Sequence, residues 1–141
     1  MIDIALLQKN GKFDIDFKDG DIAKTQSLIP AILMSIFCKA RAELSQVNNQ
    51  IDRRGGHFTN SFSQEGYEIG SLLWLYTEQN KIDESTIDDI EDTINKGLEW
   101  LVNDGYLQDI ETEAVFVDNK LTINIITLDS LGNQDNYNYT I

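Results

Sequence analysis

The residues richest in chemistry lie in one stretch, Asp52 to Trp74, which reads DRRGGHFTNSFSQEGYEIGSLLW. It holds adjacent guanidinium groups at Arg53 and Arg54, the single histidine at His57, and aromatics at Phe58 and Phe62. A guanidinium presents a planar fork of donors that matches a carboxylate, so this pair can order the loop by pairing inside the fold or can reach a partner. Both readings stand. His57, Phe58 and Phe62 fall in loop sequence, where exposed aromatics anchor protein contacts, so with Arg53 and Arg54 they are the candidate partner-binding residues. A lone His57 and a lone Cys38 cannot supply a paired-ligand zinc site within one chain. Cys38 sits in an apolar helical run and is expected to pack in the core, not to act as a nucleophile with His57 as base. Gly55-Gly56 lacks the Lys-Ser/Thr sequel of a phosphate-binding loop. A carboxylate pair such as Glu65 and Glu68 can serve glycoside hydrolysis, which makes a peptidoglycan-cleaving enzyme the alternative reading. With 24 Asp and Glu in the chain, however, some pair always looks suitable. The expectation is a binding protein with no catalytic residue, metal, cofactor or small-molecule substrate.

Elements on both sides must hold this stretch. Met1 to Gln8 alternates loosely, Lys9-Asn10-Gly11-Lys12 is a strong hairpin turn, and Phe13, Ile15 and Phe17 follow, so the chain opens with a β-hairpin. Asp19-Gly20-Asp21 turns again, toward a short third strand at Ile22-Ala23-Lys24. Ser27 is placed as an N-cap, Pro30 fits the first helical turn, and Leu28, Ile29, Ile32, Leu33, Ile36 and Phe37 recur at helical spacing, which predicts a helix to about Leu44 or Val47. Gln46 to Gln50 and Gly55-Gly56 break it, and no helix is expected there. Ile69, Leu72, Leu73 and Tyr76, widened by Trp74 and Leu75, predict a second helix from about Glu68 to Gln79, with Gly70 inside it. Asp83 or Ser85 caps a third, striped by Ile87, Ile90, Ile94, Leu98, Leu101 and Val102 and ended by Gly105. Acidic residues in its first turns complement the helix dipole. Trp74 and Trp100 are expected to pack between these two helices.

From Tyr106 the period becomes two. Ile110, Thr112, Ala114 and Phe116 form one face, Asp118-Asn119 turns the chain, and Leu121, Ile123 and Ile125 return. A last strand carries Tyr137, Tyr139 and Ile141. The fold class is therefore α+β: an N-terminal β-hairpin, three helices and C-terminal antiparallel strands in one compact domain spanning 1–141, with no linker or internal repeat.

A formal net charge of −13 sets the field around this domain. It argues against binding nucleic acid or an anionic membrane, both of which repel it, and favours a protein partner with a basic patch. One cysteine cannot form an internal disulfide, so a reducing, cytosolic setting fits. The longest apolar run, Leu28 to Cys38, is too short to span a bilayer, and no signal sequence is expected.

Three spaced motifs carry a specific likeness. Asp52-Arg53-Arg54-Gly55 with His57-Phe58, then Ile69-Gly70-Ser71-Leu72-Leu73-Trp74-Leu75, then Leu98-Glu99-Trp100-Leu101-Val102-Asn103-Asp104-Gly105 resemble, in this order, the Mu-like phage baseplate family known as gene product forty-six. Asp3-Ile4-Ala5-Leu6 and the Asp19-Gly20-Asp21 turn fit it too. The family's loop usually reads Asp-Arg-Arg-Gly-Trp-Trp-Gly-Asp, whereas Gly56, His57 and Phe58 follow here. The resemblance implies a small structural subunit of a contractile tail baseplate, similar in role to the gene-product-twenty-five wedge proteins of T4-type phages. Its expected partners are larger wedge proteins, and tail sheath or tube are further candidates, with assembly in the bacterial host cytoplasm and a final place in the virion tail.

Overall fold

Residues 87–103 carry an apolar side chain at every third or fourth position, and they form the long helix on which the rest of the core is built. The structure is a computed structural model that describes residues 3–9, 12–58 and 68–141. Short strands come first: β1 (Asp3–Ile4), β2 (Leu6–Lys9), β3 (Lys12–Ile15), β4 (Phe17–Lys18), β5 (Asp21–Ile22) and β6 (Lys24–Thr25). Helices α1 (Ile29–Phe37), α2 (Trp74–Thr77) and α3 (Ile87–Asn103) follow, then strands β7 (Asp109–Val117), β8 (Lys120–Leu128) and β9 (Gln134–Thr140). This is the expected α+β class. The Asn10-Gly11 turn and Phe62 lie outside the described residues.

The three C-terminal strands form one antiparallel sheet in the order β7-β8-β9. Asp118 and Asn119 both take positive φ, 52° and 60°, as a two-residue turn between right-twisted strands requires. Register aligns Ala114, Ile123 and Tyr139 on one face, and that face is buried while Glu113, Asn124 and Asn138 look outward. α1 and α3 cover it. Ile32 and Ile36 of α1, Ile90, Ile94, Leu98 and Leu101 of α3, and Leu121, Ile123 and Ile125 of β8 are fully buried. Each contributes on the order of 1.5–3 kcal/mol by leaving water. The buried Thr112 hydroxyl in this core has no hydrogen-bond partner among the described residues, which opposes part of that gain.

α3 starts as its sequence predicts. Asp83 accepts the Ser85 N–H at 2.8 Å, its own N–H donates to Thr86 Oγ1 at 3.0 Å, and a 3₁₀ turn at Glu84–Thr86 leads into the helix. Gly105, at φ 78°, follows the last turn.

Two helices are shorter than periodicity predicts. α1 ends at Phe37, not near Leu44 or Val47, and its N-cap position is Leu28, one residue past Ser27, whose hydroxyl accepts the Ile29 N–H at 3.4 Å. Beyond Cys38 the chain is extended and then makes 3₁₀ turns at Leu44–Val47, where the first helix was expected to end, and at Ile51–Arg53, between the expected breaks. α2 covers only Trp74–Thr77, because residues 69–72 are drawn into pairing with the end of α1.

The expected N-terminal hairpin forms as β2-β3, with Lys9 opposite Lys12, but no third strand simply adds to it. The first six strands form three two-stranded ladders, β1-β6, β2-β3 and β4-β5. The ladders meet at Ala5, Asp16 and Ala23, whose backbones close a ring: Ala5 donates to Ala23 at 2.8 Å, Ala23 to Asp16 at 2.9 Å, and Asp16 to Ala5 at 2.9 Å. Phe13 fastens this plate to the body, lying 5.0 Å from the Phe37 ring and 5.6 Å from Tyr139.

Candidate functional site

The loop singled out in the sequence is positioned by a joint between the end of α1, residues 70–73 and α3. The Cys38 carbonyl accepts the Ser71 N–H at 3.0 Å, and Ala40 N–H donates to the Ser71 carbonyl at 3.0 Å, which makes a parallel bridge between Lys39 and Ser71. Ser71 Oγ donates to the Ile36 carbonyl at 2.7 Å and accepts the Leu73 N–H at 3.1 Å. These bonds end α1, since they take up its last carbonyls in a direction no further helical turn can share. Gly70, at φ 104°, is the close approach that permits them: a Cβ there would stand 2.3 Å from the Cys38 carbonyl oxygen. Gly97 lets α3 in from the other side, with its Cβ position 2.9 Å from the Ser35 carbonyl oxygen. Trp100 Nε1 then donates to Ser35 Oγ at 2.9 Å.

The loop is pinned to this joint twice. Arg54 binds Ala42 through backbone and side chain together: Ala42 N–H donates to the Arg54 carbonyl at 2.8 Å, and Arg54 Nε donates to the Ala42 carbonyl at 2.6 Å. Its guanidinium also reaches the Glu43 carboxylate at 4.0 Å. Trp74 supplies the second fastening. Its Nε1 donates to the Ala40 carbonyl at 3.0 Å, Lys39 Nζ lies 5.4 Å above its ring while pairing with Glu78, and Gly55 lies flat against it. A Cβ at Gly55 would come within 2.8 Å of the indole, so this position needs glycine for space as well as for its φ of 64°. Beneath, Ala42, Val47 and Leu75 form a small buried cluster bordered by Leu72, Trp74 and Tyr76.

The paired arginines therefore separate in the structure. Arg54 is half-buried and faces the fold, while Arg53 lies exposed on the 3₁₀ turn with Ile51 and Asp52. Phe58 is exposed and stacks 4.8 Å from the half-buried His57 ring. Phe62 and Glu65 lie outside the described residues, and Glu68 is exposed. Trp100 does not meet Trp74: it sits against Ser35 and makes a T-shaped contact with Tyr106 at 5.7 Å, while Trp74 belongs to the cluster under the loop. Cys38 is not inside the helix stripe but caps the end of α1, half-buried, and burial raises its thiol pKa. Ser71, Ala42 and Gly97 were missed by sequence reasoning. Gly97 alone carried a signal, as a glycine interrupting a strong helical stripe.

Beside the joint runs an open groove of about 670 Å³, lined by Glu68, Asp89, Asp92, Lys96, Glu99 and Trp100. Its charged lining residues are acidic except Lys96, which disfavours phosphates and other anions. Among the described residues no group of three His, Cys, Asp or Glu side chains is placed to hold a metal ion, and no helix is long and apolar enough to cross a membrane.

Comparison with known proteins gives this arrangement a family. The model of the family described as phage protein GP46 matches residues 28–134. The chain is 28% identical over 114 residues to the Mu-like prophage FluMu protein gp46 of Haemophilus influenzae, covering 81% of this chain and 76% of that protein. It is 29% identical over 115 residues to the baseplate protein gp46 of Escherichia phage Mu, covering 81% of this chain and 77% of that one. The matched residues include the joint, the pinned loop and strands β7 and β8, and the chain belongs to the phage protein GP46 family.

Proposed function

We propose that this protein is a structural subunit of a contractile phage or prophage tail baseplate, and that it works by binding larger wedge proteins and helping to link baseplate to sheath. The observation that carries this reading is the likeness, over most of the chain, to a phage Mu protein named as a baseplate protein. The pinned loop is consistent with it. Arg54 and Trp74 hold the loop rigidly, so Ile51, Arg53 and Phe58 are displayed with little ordering entropy left to lose on binding. A second contact is available at the sheet edge. β9 ends the sheet, and among the described residues no strand pairs with its outer edge, whereas on β7 the Ala114 N–H is already taken by Glu91 at 2.7 Å. Virion assembly in the host cytoplasm and a final place in the tail belong to the same proposal.

The test separates the two arginines. Arg53→Ala combined with Phe58→Ala is expected to leave thermal unfolding unchanged and to reduce co-purification with the baseplate proteins of the same tail. Arg54→Ala is expected to lower stability by roughly 1–3 kcal/mol, because it removes a charged donor from the buried side of the loop. Undiminished co-purification of the Arg53 and Phe58 double variant would remove the loop from the interface.

A further inference from the structure

Arginine is used at one place in this chain. All three arginines, Arg41, Arg53 and Arg54, belong to the two segments that the bonds between Arg54 and Ala42 hold together, whereas the seven cations outside residues 39–58 are all lysines. Arg41 adjoins Ala42, and its Cβ stands 3.4 Å from where a Gly56 Cβ would be. Residues 39–58 carry Lys39, Arg41, Arg53 and Arg54 against Glu43 and Asp52, a local excess of two positive charges in a chain of −13. Two of these cations are engaged: Lys39 pairs with Glu78, and Arg54 reaches Glu43 and the Ala42 carbonyl. Arg41 and Arg53 are not. Both are exposed, and among the described residues their side chains enter no ion pair and donate no hydrogen bond. Ile51, on the turn of Arg53, and Phe58, two residues beyond Gly56, are 69% and 73% exposed.

We propose that Arg41 and Arg53 are a carboxylate-binding pair that docks an acidic segment of another baseplate protein, with Ile51 and Phe58 taking apolar residues beside its Asp or Glu. The assignment rests on the assembly reading and names the chemistry of the partner at the pinned loop. It reverses, at this site, the basic partner that the charge of the whole chain favours. A solvated surface charge is served equally well by lysine, as at the other seven positions. The rigid planar fork of arginine gains its advantage where it meets a carboxylate or a phosphate. Nucleic-acid phosphate is repelled by the chain's −13. A second copy brings the same repulsion over its whole surface, whereas a segment of a partner nearer to neutrality brings its acids only where the arginines answer them. Arg54 and Trp74 already hold this backbone, so little order remains to be lost when the segment docks.

Calorimetric titration of the full-length protein against each purified baseplate protein of the same tail tests this. Arg41→Gln with Arg53→Gln is expected to weaken binding to one of those proteins roughly tenfold or more. Lys18→Gln with Lys120→Gln removes the same charge from exposed positions on β4 and β8, and is expected to leave that binding within about twofold. In a second arm, complexes of the Arg41→Lys and Arg53→Lys variants are treated with a carbodiimide, which joins an amine to a carboxylate in contact with it. The introduced amines are expected to link to Asp or Glu of the bound protein. Melting confirms that each variant is folded, and the single Arg41→Gln and Arg53→Gln variants serve if the double variant is not. Where wild type binds a partner, the proposal falls if the arginine variants bind it equally, if the lysine pair weakens it as much, or if the amines link to no acid of it. The assembly reading survives all three. If wild type binds none of the proteins, both fall. Duplex DNA bound by wild type and not by the arginine variants, or dimerisation lost in them, would make the occupant nucleic acid or a second copy and overturn the proposal as well.

Discussion

At the scale of single residues, the motif Asp52 to Trp74 divides into side chains that hold the fold and side chains that face outward. Arg53 and Arg54 are indistinguishable by type, yet among the described residues only Arg54 meets a carbonyl, that of Ala42, because the 3₁₀ turn rotates the two apart. Gly70 is the most tightly enclosed glycine among the described residues. A Gly70→Ala variant has both a positive φ and a carbonyl 2.3 Å from the new methyl group, so it is expected to lose roughly 3 kcal/mol or more of stability in urea unfolding. Loss of less than about 1 kcal/mol would mean that the joint between α1 and Ser71 relaxes without cost. The carbonyl responsible belongs to Cys38, 32 positions earlier, so no local reading of Ile69-Gly70-Ser71 reveals it. Trp74 is similar: its helical spacing is visible in sequence, but its partners Gly55 and Ala40 come from across the loop.

At the scale of elements, α3 was legible and α1 and α2 were only partly so. α3 has a capping box, a strong apolar stripe and a glycine stop, and each of these acts within four residues of itself. Its cap makes a pH prediction. Hydrogen bonds from Ser85, side chain first and then backbone, hold the Asp83 carboxyl below its ordinary pKa. A lowered carboxylate pKa contributes stability that is present above the ordinary value near 3.8 and lost as pH falls through the folded value. Acid titration followed by nuclear magnetic resonance is therefore expected to show the Asp83 carboxyl titrating below a model aspartate, with faster amide exchange at Ser85 and Thr86 as it protonates. Asp83→Asn removes that pH dependence. α1 ends and α2 begins where they do because Ser71 competes for their backbone groups, and such competition is invisible to periodicity. The plate of β1 to β6 shows the same limit: its turns were readable, but alternation cannot show that three ladders close a ring through Ala5, Asp16 and Ala23.

At the scale of the whole molecule, the plate, α1 and the sheet meet at one aromatic cluster. Phe13, Phe37 and Tyr139 lie with ring centroids 5.0 to 5.9 Å apart, each from a different part of the chain. Burial, and then the neighbouring Tyr137, push the Tyr139 phenol up from 10.0 to about 12. The fold thus favours the protonated phenol, so stability is complete below the ordinary tyrosine value and falls as pH rises from about 10 through about 12. Tyr139→Phe is expected to blunt this alkaline loss, read as the change in melting temperature between pH 9 and pH 11.5. An unchanged alkaline profile would place the sensitivity elsewhere.

Length, charge and periodicity determined the α+β class, the order of elements, the sheet register at Asp118-Asn119 and the acidic field that disfavours nucleic acid. These are properties of neighbours in sequence or of the whole composition, and they survive without knowledge of what each segment touches. Tertiary structure alone decided which arginine is bound, why Gly55 and Gly70 are glycines, where α1 stops and which apolar residues of the plate remain uncovered. Each of those depends on a group brought close from a distant part of the chain, and steric exclusion and hydrogen bonding act only over the few ångströms that the finished fold creates.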